Sequence, residues 1–132
     1  MADSRLDAAL EVQRAMFPPG FADNAMKNAS EFSKPFFVMM AEQLFGEIWT
    51  RPGLSRRDRS LITVAMLTVL NRSEELQLHV PGAIANGVTR DEIREVLLQA
   101  MGYGGVPYAV AAFKSADEAL RKLDAADAAK TA

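Results

Sequence analysis

The sequence predicts an all-α fold, a single-domain orthogonal bundle of about six helices. Three observations carry this expectation. No segment sustains the two-residue alternation of a half-buried strand, whereas several place apolar residues at i, i+3, i+4 and i+7. Glycine and proline cut the 132 residues into helix-length pieces. Serine or threonine followed three residues later by an acid marks the start of two of these pieces. A chain of this length fits one domain with a core of its own, and no fixed-period repeat or linker divides it.

The elements follow in order. Residues 3–17 form a first helix, with Asp3 or Ser4 as cap and Leu6, Ala9, Leu10 and Met16 along one face. Phe17-Pro18-Pro19-Gly20 stops it. A second helical region covers about residues 24–46, and Pro35 splits it into two helices unless it stands in a first turn. Gly46 to Gly53 is expected to be a connection with at most a short helical turn. Ser55 and Asp58 resemble a capping box for a central helix reaching Asn71, apolar almost all round and so buried on most sides. Ser73 starts the next helix, which should bend at Pro81 and end at Asn86-Gly87, a left-handed stop signal. Thr89 with Glu92 caps a helix carrying Ile93, Val96, Leu97, Ala100 and Met101, ended by Gly102, Gly104 and Gly105. Pro107 opens the last helix, burying Ala111, Ala112, Ala116, Ala119, Leu120 and Leu123, and the tail of residues 124–132 is expected to fray.

Composition narrows the function. The formal net charge is −2 with both signs scattered, so there is no basic stripe for nucleic acid and no polybasic cluster for a membrane surface. No apolar run reaches the roughly 18 to 20 residues of a membrane-spanning helix. The polar, acid-bearing start lacks the regions of a signal peptide, so the cytoplasm is the expected compartment. There is no cysteine, which removes disulfides, thiol nucleophiles and thiolate metal sites, and the lone His79 cannot form a histidine-rich metal centre. Small molecules and other protein chains remain as partners. Aromatic and methionine side chains on several faces of the second helical region point to an oligomer, although a core helix explains them equally well.

Three clusters could carry chemistry. Glu75 and His79 are four residues apart on a helix and share a face, and a carboxylate there would raise the imidazole's pKa toward that of a proton donor near neutrality. Arg72, one turn earlier, pairs either with Glu75 or with an anionic ligand. The plainer alternative is a surface salt bridge beside a half-buried histidine. Arg59, Thr63 and Met66 lie on one side of the central helix with Ser60 adjacent, where arginine suits an anion or simply a solvated first turn. Trp49-Thr50-Arg51-Pro52-Gly53 forms either the wall of an anion pocket or a hydrophobic anchor for a connection. Gly102-Tyr103-Gly104-Gly105 follows no strand and is no phosphate loop.

Gly46-Glu-Ile-Trp-Thr-Arg-Pro-Gly-Leu54, Arg59-Ser-Leu-Ile-Thr-Val-Ala-Met-Leu67, Asn71-Arg72, Glu74-Glu-Leu76, His79, Asn86-Gly-Val-Thr-Arg-Asp-Glu-Ile93 and Glu95-Val-Leu-Leu-Gln99 together resemble the γ-carboxymuconolactone decarboxylase family, over a core of about residues 30–122. The wider superfamily is alkylhydroperoxidase-like, with a site of Glu, two cysteines in CxxC, and His. By spacing, those places fall at Ser60, Arg72, Glu75 and His79, where only the histidine remains, so thiol peroxidase chemistry is excluded.

The resemblance implies an alkylhydroperoxidase-like fold assembled as a homohexamer, a trimer of dimers, with sites near subunit contacts. It implies decarboxylation of 4-carboxymuconolactone to β-ketoadipate enol-lactone in protocatechuate catabolism, with no metal or organic cofactor. His79 would then be proton donor or oxyanion partner and Glu75 its orienting group. Arg51, Arg59 or Arg72 would hold carboxylate, with Trp49 and Ser60 nearby. Val80-Pro81-Gly82 departs from the family's basic, alanine-rich stretch, and Tyr108 and Val110 depart from its Tyr-x-Gly-x-Pro-Ala turn. A different carboxylated lactone or ring-cleavage product, processed by decarboxylation, isomerisation or hydrolysis, is therefore a second possibility. A non-catalytic oligomer is a third.

Overall fold

The computed structural model describes residues 4–131. Among them are seven α-helices and one π-helical segment, with no strand. The all-α expectation therefore holds, with one helix more than anticipated. The chain packs as two compact units divided after Arg56.

In the first unit, α1 (Arg5–Met16) starts as expected at Ser4, whose hydroxyl accepts from the Asp7 amide at 3.0 Å while the Asp7 carboxylate accepts from the Ser4 amide at 3.2 Å. Asp3, the other candidate cap, lies outside the described residues. Helix α1 buries Ala9, Val12, Gln13 and Met16, leaving Leu6 and Leu10 half-buried. The second helical region is two helices, α2 (Phe21–Asn28) and α3 (Lys34–Met40), because Pro35 stands in the first turn of α3, where its missing amide proton costs no helical bond.

The expected connection at Gly46 is corrected. Helix α3 runs straight into a π-helical segment, Ala41–Ile48, and the connection begins only at Trp49. Glycine inside a helical pattern reads as a break, but Gly46 serves close approach instead. A Cβ there would lie 2.5 Å from the carbonyl oxygen of Arg5. Phe45 stacks on Trp49 (centroids 6.0 Å apart) and meets Phe17 edge-on at 5.6 Å, giving this unit an aromatic centre.

The second unit comprises α4 (Arg56–Val69), α5 (Ser73–Ala85), α6 (Arg90–Gly104) and α7 (Val106–Thr131). Its core joins Val64 of α4, Leu76, Val80 and Ala83 of α5, Ile93 and Leu97 of α6, and Ala112, Ala116 and Ala119 of α7. The small α7 residues let α5 and α6 pack closely against it. Helix α4 ends in a left-handed turn. Asn71 adopts φ 58°, its amide bonds the Thr68 carbonyl at 3.1 Å, and the Arg72 amide bonds the Leu67 carbonyl at 2.9 Å. Gly87 closes α5 by the same pair of bonds, as the Asn86-Gly87 signal predicts. The Thr89–Glu92 capping box is formed in both directions, and Arg57 pairs with the second Glu92 oxygen, tying α4 to α6.

Two expectations for this unit are corrected. Helix α4 is buried along one stripe only, Ser60, Val64 and Thr68, while Ile62, Met66 and Val69 are exposed. An all-round apolar helix does not specify what covers it, and within one chain only one side is covered. The tail does not fray before Thr131. Its alanines favour helix, Asp124 accepts from Arg90 at 2.5 Å, and Asp127 pairs with Lys130 one turn on. Pro81 lies inside α5, which continues through it to Ala85. No helix among the described residues is long and apolar enough to cross a membrane.

The end of α6 meets the end of α4 with no room between them. A Cβ on Gly104 would lie 2.7 Å from Val69 Cγ1, and valine is stiff at χ1. Gly104→Ala should therefore lower stability by about 1 to 3 kcal/mol in urea unfolding. Adding Val69→Ala should recover part of the loss, and a double variant no more stable than the single one would show that the strain lies elsewhere.

Candidate active site

Helix α5 is the element on which the candidate chemistry depends. Leu76, Val80 and Ala83 bury one of its faces, which fixes the helix rotation and carries Glu75 and His79 to the core boundary. The left-handed Asn71 turn places Arg72 as N-cap residue, so its side chain lies one turn before Glu75. Arg72 and Glu75 meet, and His79 follows one turn on along the helix.

Their arrangement differs from the expected carboxylate–imidazole pair. Glu75 is engaged by Arg72, whose Nη2 lies 2.5 Å from Glu75 Oε1. That hydrogen bond, more than any other influence, holds the Glu75 carboxyl below its ordinary pKa, so it is ionised at neutrality. His79 is half-buried with its Nδ1 screened from solvent. Burial pushes the imidazole down from 6.5 to about 4, and the upward pull of Glu75 is too small to reverse this. The expectation that Glu75 lifts His79 toward neutrality is thus corrected. The sign of the carboxylate's effect is as predicted, but desolvation is the larger effect. In the free chain His79 is a neutral imidazole at pH 7.

The remaining candidates fall in three places. Ser60 is buried in α4 and accepts a hydrogen bond from the Asn86 side-chain amide at 3.0 Å, so it ties α4 to the end of α5 two turns beyond His79. Arg59, beside it, is half-buried, and its carbonyl accepts from Thr63 at 2.7 Å. Trp49 and Arg51 belong to the first unit, where Trp49 is 4% exposed and stacked on Phe45 and Arg51 is exposed on the following connection. The anchoring alternative for Trp49 matches that stacking.

Sequence reasoning missed the polar clamp between α5 and α7. Gln77 Nε2 donates to the Ser115 carbonyl at 3.1 Å and to Glu118 at 2.9 Å, and Ser115 Oγ donates to the Ser73 carbonyl at 2.7 Å. Such contacts join residues about 40 apart and leave no periodic trace. An open cavity of about 480 Å³ lies along this clamp, lined by Gln77, Lys114 and Glu118 among others, on the side of α5 away from His79. Among the described residues, no group of three or more His, Asp or Glu side chains is placed to hold a metal ion.

Comparison with known proteins follows the same helices. The model of the carboxymuconolactone decarboxylase family matches residues 35–118. A 4-carboxymuconolactone decarboxylase from Acinetobacter baylyi is 35% identical over 121 residues, covering 92% of this chain and 90% of that protein. A nitrosuccinic acid decarboxylase from Metarhizium robertsii is 39% identical over 106 residues, covering 80% of this chain and 74% of its own. An uncharacterised 15.0 kDa protein from Paracoccus denitrificans is 33% identical, covering 77% of each chain.

The buried imidazole makes stability depend on pH in a definite direction. Between about pH 6.5 and 4 the unfolded chain binds a proton at His79 that the folded chain does not. Stability contributed at this position is therefore complete above that window and falls as pH drops through it, by about 3 kcal/mol. Wild type should lose that much more stability than His79→Gln between pH 7 and 4 in urea titrations. Parallel curves for the two proteins would show that the ring is not desolvated.

Proposed function

From the premise that the chain belongs to the carboxymuconolactone decarboxylase family and is a decarboxylating lyase, we propose that it acts on 4-carboxymuconolactone, releasing carbon dioxide and β-ketoadipate enol-lactone in protocatechuate breakdown. The observation that carries this is the succession of Arg72 at the start of α5 and Glu75 and His79 along it, inside the region that the family model matches.

The substrate supplies its own electron sink. Its departing carboxylate is on the γ-carbon of an unsaturated lactone. When that carbon–carbon bond breaks, the electron pair moves through the double bond to the lactone carbonyl, giving a dienolate that takes one proton at the α-carbon. The protein has three tasks, which are to hold the carboxylate that stays, stabilise the developing oxyanion and deliver the proton. We assign proton delivery to His79 and its orientation to Glu75. The first task falls to an arginine; Arg51 of the first unit and Arg59 and Arg72 of the second are the candidates, and Trp49 and Ser60 are further candidates to bind substrate.

A second substrate is favoured by one specific relative, which is named for nitrosuccinic acid. A nitro group is also an electron sink beside a departing carboxylate, so the same three tasks would serve it. Tyr108 and Val110, exposed on the first turns of α7, are where a difference in substrate shape would be read.

Assembly into a homohexamer in the cytoplasm belongs to the same proposal. Ile62, Met66 and Val69 are exposed along α4 and Leu70 just beyond it, as are Tyr103, Val106 and Val110 around the start of α7. In the first unit Phe32 is 96% exposed, with Phe36 and Met39 also open. Apolar surface of this extent supports burial between copies. Light scattering coupled to size exclusion should give six chains, and a monomer at micromolar concentration would reject the assembly.

The activity is tested by supplying enzymatically generated 4-carboxymuconolactone and following carbon dioxide and the product lactone. Wild type should turn it over, and His79→Ala should be slower by about 10²- to 10⁴-fold. Full turnover by His79→Ala would remove His79 from the mechanism. Turnover of nitrosuccinate but not of the lactone would move the assignment to the second substrate.

A further inference from the structure

A proton donor whose ring is neutral at pH 7 has to acquire its proton before it can give one away, and the arrangement on α5 contains a way to time this. Arg72 is the residue to consider. Its backbone is fixed at the helix start by the Asn71 turn and by the bond from its amide to the Leu67 carbonyl. Its side chain is 59% exposed, so the guanidinium faces solvent. It meets Glu75 through one short contact, from Nη2 to Oε1, although a guanidinium has five donors in a fork that fits a carboxylate through two. Glu75 stands between two partners, Arg72 three residues before it and His79 four residues after it, both within side-chain reach on a helix. In the free chain it is bonded to Arg72.

We propose that Arg72 is a positioning residue that exchanges partners: the carboxylate that stays on a dicarboxylate substrate takes Arg72 away from Glu75, and the released Glu75 turns to His79 and arms it as proton donor. This deepens the decarboxylase reading and rests on it for the role of His79. The exchange is physically easy, because an exposed i,i+3 ion pair contributes little to stability and a two-point carboxylate contact replaces a one-point one. While Arg72 occupies Glu75, the pair presents little net charge to the ring. Once Arg72 is taken, Glu75 faces His79 as an uncompensated anion.

Charged groups also lie on the helices packed against α5: Arg59, half-buried on α4 beside Ser60, and Lys114 and Glu118 on α7. The core that α5 packs against, Val64 of α4, Ile93 and Leu97 of α6, and Ala112 and Ala116 of α7, contains no titratable group. Glu118 and Lys114 of α7 border the cavity on the Gln77 side. Glu75 pulls the imidazole's pKa upward against the larger effect of burial. The proton balance closes within one turnover. His79 takes one proton from solvent when Glu75 turns to it. It passes that proton to the α-carbon of the dienolate formed as carbon dioxide leaves, and returns to the neutral form as product departs and Arg72 recovers Glu75.

The scheme applies to substrates with two carboxylates, one lost and one retained. A monocarboxylate that takes Arg72 with its one carboxylate has none left to lose, so it can occupy the site but not react.

The single histidine makes the test direct, since its ring C2 proton can be followed by NMR without assignment. In the ligand-free protein, Arg72→Gln should raise the His79 pKa by about one pH unit or more, because the released Glu75 is then an opposite charge near the ring. The double variant Arg72→Gln/Glu75→Gln should return it to the wild-type value. Arg72→Lys, which keeps the charge but not the fork, should stay near wild type. Saturating succinate, a dicarboxylate with no leaving carboxylate, should raise the wild-type value and leave that of Arg72→Gln unchanged. An unchanged pKa in Arg72→Gln, or in wild type with succinate, would overturn the exchange. None of these measurements uses turnover. Titrations that behave as expected in a protein inert to every carboxylated lactone would sustain the exchange and sink the proposed reaction, and flat titrations in an active enzyme would do the reverse.

Discussion

Burial of Leu76, Val80 and Ala83 against the core is the constraint from which the rest of the second unit follows. A helix has one rotation about its axis, and these three residues fix that of α5. Once they point inward, Glu75 and His79 lie at the core boundary, and Gln77 points toward Ser115 and Glu118 of α7. The candidate site is thus not a set of residues added to a fold. It is the remaining circumference of a core helix, and any change that rotated α5 by even one residue's step would move the imidazole and the clamp together.

The same packing decides the electrostatics. A histidine at the boundary of an apolar core loses hydration on most of its surface, and this loss outweighs the attraction of a carboxylate one turn away. Glu75 meanwhile keeps its charge because Arg72, at the solvated start of the helix, holds it. Two groups on one face therefore have opposite environments: the acid is ionised and the base neutral. Separation of that kind is how a single helix can present both a fixed charge and a group ready to accept a proton.

Much of the fold was legible because its signals are local. The capping residues Ser4 and Thr89, the left-handed stop at Gly87 and the first-turn proline at Pro35 each act within four residues, and each does in the structure what its chemistry predicts. What was not legible depends on partners far along the chain. Gly46 looked like a break because the sequence cannot show that the Arg5 carbonyl lies where its side chain would be. The exposed side of α4 looked buried because composition records apolarity and not coverage. In the candidate site, the contact of Arg72 with Glu75 was visible from spacing. The strength of burial at His79 and the anchoring of Ser60 by Asn86 were not, since both come from tertiary packing.

Pro81 is a point of local weakness on α5. Having no amide proton, it leaves the Gln77 carbonyl without its helical donor, two residues from His79. Yet the helix runs on to Ala85, and the residue that loses this bond is the one whose side chain is tied to α7. The clamp supplies from outside the helix part of the restraint that the backbone ladder lacks at that point. The start of the helix is restrained differently, by the Asn71 turn behind Arg72. Restraint at those two places leaves the side chains of Arg72 and Glu75, at the solvent end, as the part of α5 that can rearrange without disturbing the core. In the proposed mechanism such a helix changes the partners of its charges while holding its imidazole still, and proton delivery to a bound substrate requires both.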